Sequence, residues 1–264
     1  MTLLARIADR LILQPTTNFI DTEEREQKWI ESPEGNIEAW VLRTTAAECP
    51  NPAQVVFIKF PGSGGRAERA RTNPAHLWPD IVTETWTINH RGFGGSVGAA
   101  SIQNFTQTCD AVMAAAKSEF PDRKIVLYGN SLGCTSALYL AARHEVAGMF
   151  LRNPPPLAQM IATRPRYAWW SLGGSKMIAN QVPAALDSIA NAQQSKGPAL
   201  FVCSERDRVI PPTFQDRIIE AYQGKHRKFV LQDADHHHRV PEHQEAEYIK
   251  AARWLGQEIV ESKD

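Results

Sequence analysis

The ten residues from Lys124 to Gly133 most constrain what this chain can fold into. An apolar, β-rich run, Lys124 to Tyr128, passes straight into Gly129-Asn130-Ser131-Leu132-Gly133, and a helical pattern leaves that turn from Leu132 to Arg143. A serine on a tight strand-to-helix turn has strained backbone angles and an exposed hydroxyl. A side chain at either flanking glycine would collide with neighbouring backbone. The helix that begins under Ser131 aims free N–H groups and a positive dipole end at any negative charge developing there. The competing reading of these five residues is a purely structural turn.

The rest of the chain repeats the strand-then-helix rhythm. Ile37 to Leu42 alternates apolar and polar residues, which predicts a half-buried strand. Val55 to Phe60 is a nearly continuous β-rich run, as in a strand buried on both faces. Helical patterning follows through about Trp78, then a short strand at Trp86 to Asn89. Ile102 to Glu119 reads as a helix, with Ser101 as N-cap and Pro121 just past its end. Further strands are expected at Val146 to Leu151, Ala199 to Cys203 and Phe229 to Leu231, with helices at Thr213 to Tyr222 and Glu242 to Val260. Strands alternating with helices imply βαβ units, and so a mostly parallel central sheet with helices on both faces. Arg152 to Pro198 breaks the rhythm, opening with Pro154, Pro155 and Pro156, and reads as an insertion above the sheet. The expected organisation is one domain over residues 1–264, with 152–198 as a small lid or cap.

Composition excludes several classes of function. The 264 residues carry 29 Lys+Arg against 29 Asp+Glu, so no net charge steers the chain toward nucleic acid or anionic membrane. Cys49, Cys109, Cys134 and Cys203 show no C-x-x-C pairing, and three lie in apolar segments, which suits a reducing, cytoplasmic setting. Charges at Arg6, Asp9 and Arg10 interrupt the apolar run Leu3 to Leu13, so it does not read as a signal peptide, and no stretch is long and apolar enough for a transmembrane helix. Leu3, Leu4, Ile7 and Leu11 share one face of a helix that either packs on the body or touches a membrane surface or partner. Nothing sets the oligomeric state.

A serine needs an adjacent base, and the base an orienting carboxylate. Past the strand at Ala199 to Cys203 come Glu205 and Asp207, and either could be the acid. Past Phe229 to Leu231 come His236, His237 and His238, any of which could be the base. Three adjacent histidines, with His243 nearby, also suggest metal, but consecutive side chains point apart and no H-E-x-x-H spacing is present, so no metal is expected. The loop after Phe60, Pro61-Gly62-Ser63-Gly64-Gly65, has a rival reading. Gly62, Gly64 and Ala67 fit a dinucleotide fingerprint, which wants an acid at the end of the next strand. That strand ends in Asn89-His90-Arg91, so the reading fails there.

Five blocks together resemble the α/β-hydrolase superfamily, and in pattern its ABHD13-like and Bem46-like serine hydrolases. They are Phe60 to Gly65, Asn89-His90-Arg91-Gly92-Phe93-Gly94-Gly95-Ser96, Gly129 to Gly133, Asp207-Arg208-Val209-Ile210-Pro211 and Ala234-Asp235-His236. The resemblance implies an α/β-hydrolase fold and hydrolysis of carboxylic esters or thioesters of a small molecule, with no cofactor. It implies Ser131 as nucleophile, Asp207 rather than Glu205 as acid, and His236 as base. The backbone N–H groups of Ser63 and Leu132 would form the oxyanion hole, although the usual His-Gly start of that loop is Pro61-Gly62 here. The Arg91 to Ser96 loop would be an active-site wall or a structural turn. Trp169 and Trp170, with Met160, Ile161, Tyr167, Leu172, Met177 and Ile178, offer apolar surface for an acyl pocket. The alternatives are a thioesterase or depalmitoylase, and a non-catalytic binding module on the same fold.

Overall fold

A computed structural model describes residues 2–22, 25–44, 53–163 and 174–261. Eight strands form one sheet: β1 (Glu26–Ile30), β2 (Ile37–Thr44), β3 (Val55–Phe60), β4 (Thr83–Ile88), β5 (Lys124–Asn130), β6 (Gly148–Arg152), β7 (Ala199–Ser204) and β8 (His226–Leu231). Their order is β1-β2-β4-β3-β5-β6-β7-β8. β1, β2 and β4 pair antiparallel, and β4 through β8 pair in parallel.

The continuous apolar runs are explained by alternation between two cores. Ile58, Phe60, Leu127, Leu151 and Phe201 face one core, with α1 (Leu3–Ile12), α2 (Phe105–Glu119), α3 (Gly133–Ala141) and α7 (Pro212–Ala221) packed around it. Phe57, Val126, Phe150 and Val202 face the other, under Trp78 and the C-terminal helix α8 (Glu245–Glu261). A central parallel strand has no solvent face, so both of its alternating sets are apolar.

Three expectations are corrected. β2 is not half-buried, because Ile37 to Val41 are all buried and the Glu38 carboxylate is satisfied by Gln27, Asn89 and the Gly95 N–H. No α-helix spans the segment up to Trp78. It holds two 3-10 turns, Ala67–Arg69 and Ala75–Leu77, around Pro74, which has no N–H to give. The expected helix from Ile102 opens as a 3-10 turn, Ile102–Asn104, although Ser101 does cap it by accepting from Gln103 N. Among the described residues between β6 and β7 lie three short α-helices, α4 (Leu157–Thr163), α5 (Gly174–Ala179) and α6 (Ser188–Ala192). The helix α1 packs through Leu4, Ile7 and Ile12, while Leu3 and Leu11 stay exposed. Among the described residues no helix is long and apolar enough to cross a membrane.

One buried charge has a measurable consequence. Lys59 on β3 is 7% exposed, and its Nζ donates to the carbonyls of Arg71 and Asn73, both at 2.7 Å. Burial pulls this amine from its ordinary 10.5 down to about 7. A neutral amine keeps an N–H for each carbonyl, so deprotonation does not release the loop. Above the folded value and below the unfolded one, the unfolded chain binds more protons, and stability rises with pH. The unfolding free energy from denaturant titrations is therefore expected to climb between about pH 7 and about pH 9, by at most ~1.4 kcal/mol per pH unit. In Lys59→Met that component of the slope disappears.

Candidate active site

Ser131 sits where β5 gives way to α3, with φ of 53°. Such a positive angle is costly for a side-chain-bearing residue, and it persists because the surroundings fix it. Ser131 N donates to the Arg152 carbonyl at 2.8 Å. A Cβ on Gly133 would lie 2.0 Å from the Phe60 carbonyl oxygen, and one on Gly129 would lie 2.5 Å from Cys134 Cα. Both positions therefore take only glycine, which is the physical content of the five-residue motif.

The other two side chains arrive from neighbouring strand ends. Asp207 follows β7 and is 3% exposed. Its Oδ1 accepts from the N–H groups of Val209 at 2.8 Å and Ile210 at 2.7 Å. Its Oδ2 lies 2.6 Å from His236 Nδ1, and His236 Nε2 lies 3.0 Å from Ser131 Oγ. Glu205 points elsewhere, accepting from Asp233 N at 2.8 Å. Of the other histidines, His237 lines the cleft and His238 Nδ1 engages Asp235 at 2.7 Å. Among the described residues no group of three His, Cys, Asp or Glu side chains converges as metal ligands would.

The cleft over Ser131 holds about 680 Å3. Gly62 faces the serine, where an added Cβ would meet Ser131 Cβ at 3.3 Å. Ser63 and Leu132 both line the cleft, and among the described residues neither N–H donates to a protein acceptor. Two free backbone donors beside one hydroxyl can receive an oxyanion. Met160 and Ile161 of α4 line the cleft as well, whereas Met177 is half exposed and Ile178 is buried in the core. Trp169 and Trp170, with Tyr167 and Leu172, lie outside the described residues. The Arg91 to Ser96 loop lines none of this cleft and acts as a brace. Ser96 Oγ donates to the Asn89 carbonyl, and Asn89 Oδ1 accepts from Ala67 N behind the glycine loop. That glycine loop runs into a 3-10 turn rather than a helix, so no helix N-terminus stands ready for a pyrophosphate.

Sequence reasoning missed three contributors. Asn153, fully buried with φ of 48°, donates to Ser204 Oγ and to the His236 carbonyl, and its Oδ1 accepts from Ser204 N. It thereby ties the ends of β6 and β7 to the histidine loop. Gln215 of α7, also fully buried, donates from Nε2 to the Ile210 carbonyl at 2.7 Å and reaches Asp207 Oδ2 at 3.4 Å. Gln14 follows α1, and its N donates to the Ser63 carbonyl at 2.9 Å, fixing the glycine loop from the far end of the chain. For Gln215→Met, whatever reaction the Asp207–His236–Ser131 relay carries is expected to slow about ten-fold with KM unchanged, because a loosened carboxylate misaligns the imidazole without touching substrate binding.

Comparison with known proteins agrees with this architecture. A family model described as alpha/beta hydrolase fold matches residues 60–188. The fold is that of the α/β-hydrolases. An uncharacterized protein of Mycobacterium tuberculosis is 26% identical over 152 residues, covering 56% of this chain and 51% of the relative. The chain thus spans about half the length of the first curated relatives it matches. The solved structure of the Pyrococcus furiosus esterase Pf2001 superposes with a TM-score of 0.66 at 12% identity, over 94% of this chain and 99% of that one. The structure of DcsB in complex with its substrate analogue gives 0.68 at 14% identity, over 90% and 100%.

Proposed function

We propose that this α/β-hydrolase-fold protein is a serine esterase that cleaves carboxylic ester bonds through an acyl-enzyme on Ser131. The observation that carries the reading is the unbroken relay from Asp207 Oδ2 through His236 to Ser131 Oγ, at 2.6 and 3.0 Å. His236 takes the serine proton as Oγ attacks the acyl carbonyl, forming the C–O bond. The Ser63 and Leu132 amides receive the negative oxygen. The tetrahedral adduct collapses, His236 protonates the leaving alcohol, and water repeats the sequence to release the acid. The cycle needs no cofactor and no metal.

Apolar surface at Leu11, Ile12, Leu157, Met160 and Ile161 favours a small-molecule acyl group as the occupant of the cleft. A thioester would pass through the same steps with a thiol leaving. The motif blocks group the chain with ABHD13-like and Bem46-like hydrolases, as one domain with 152–198 as cap. Free, buried Cys109, Cys134 and Cys203 support a cytoplasmic setting. Fluorophosphonate labelling tests the chemistry. Wild type is expected to be labelled and Ser131→Ala is not; equal labelling of both would refute the nucleophile.

A further inference from the structure

A second cavity, of about 970 Å3, lies behind the glycine loop and takes no part in the chemistry above. It shares Gly62, Gly65 and Asn130 with the catalytic cleft, so the glycine loop stands between the two. Its walls come from β3, β5 and β6, the segment 66–77 and the start of the C-terminal region.

The cavity is cationic by construction. Arg69, Arg71, Arg152 and Arg239 line it, with Lys59 on its β3 wall. Glu242 and Glu245 are the acids on the same wall, while Arg66 is already matched by a buried Glu68. Among the described residues none of those four arginines forms an ion pair. Arg152 donates from Nη2 to the His238 carbonyl, yet its Nε is buried with no partner. Guanidinium groups stay charged at every working pH, and their planar forks match phosphate oxygens in pairs. A concave wall focuses that potential. Four arginines exceed what one monocarboxylate would neutralise, and so favour a dianion. The volume lies near the upper end of the ~300–1,000 Å3 usual for small-molecule sites, far more than a bare phosphate fills. Half-buried Tyr128, stacked on buried Phe150 at 5.3 Å between centroids, supplies an aromatic wall for an organic body.

We infer that this second cavity binds a phosphate ester of a small organic molecule, with the phosphate held by its arginines and the organic part against its aromatic wall. Phenyl phosphate and benzoate are suitable probes, because they share the ring and differ in the anion. Calorimetric titration at low salt is expected to show saturable phenyl phosphate binding, about ten-fold or more tighter than benzoate. Added salt should weaken it. The double variant Arg69→Ala/Arg239→Ala changes two exposed side chains and should weaken phenyl phosphate binding by about ten-fold or more. Arg208→Ala, which changes the arginine on the catalytic cleft, should leave it unaltered. Three outcomes overturn the inference. One is no saturable binding up to about 10 mM, and another is equal affinity for the two probes. The third is binding lost in Arg208→Ala but kept in the double variant, which would put the anion in the catalytic cleft.

Discussion

Ser131→Ala is expected to lower p-nitrophenyl ester turnover by about a million-fold, to the level set by the remaining oxyanion donors and binding groups. His236→Ala should cost nearly as much, because the two act as one unit and either loss stops proton transfer. The neighbouring histidines are the internal control. His237 stands edge-on to the His236 ring, with centroids 4.9 Å apart, and only lines the cleft. His238 is exposed and engaged with Asp235. Alanine at either is expected to keep turnover within about ten-fold of wild type, since neither ring reaches Oγ. A dead His237→Ala or His238→Ala beside an active His236→Ala would reassign the base. The double variant Ser131→Ala/His236→Ala should be no worse than either single one, which separates loss of a shared mechanism from accumulated unfolding.

The legibility of this site follows how local each part is. The turn at Ser131 was readable because its glycines, its strand and its helix are contiguous, and the clashes that demand glycine come from Phe60 and Cys134 packed against the same turn. The same holds for the strands β3 and β5 to β7, whose two-faced burial leaves nearly continuous apolar runs. β1 went unread because it is an edge strand, Glu-Gln-Lys-Trp-Ile, with its first two residues exposed and no apolar alternation to betray it. The segment before Trp78 misled for the opposite reason. Its spacing suits a helix, but Pro74 interrupts it, and long-range bonds from Arg66 to the Thr16 and Asn18 carbonyls set its path. Asn153 and Gln14 act through partners 49 to 83 positions away, and Gln215 through one buried amide on a neighbouring helix, and no local pattern marks such a residue.

Asp207→Asn is expected to lower turnover by about ten-thousand-fold while leaving the fold intact. The reason lies in which atoms face which donors. Oδ1 of Asp207 accepts two backbone N–H groups, from Val209 and Ile210, while Oδ2 faces His236 Nδ1. An asparagine must keep its carbonyl oxygen on the two backbone donors, since an NH2 there would set donor against donor in a buried site. Its NH2 then faces His236 Nδ1 and makes that nitrogen the acceptor. The imidazole proton is driven to Nε2, 3.0 Å from Ser131 Oγ, where it blocks rather than receives the serine proton. The variant is thus silenced by tautomer, with its geometry unchanged. Fluorophosphonate labelling should slow in parallel with turnover, while the melting temperature holds. Glu205→Gln is the matched control, because among the described residues Glu205 accepts only from Asp233 N, at the surface. It should remain near wild-type rate. A dead Glu205→Gln beside an active Asp207→Asn would transfer the acid role to the other carboxylate after β7.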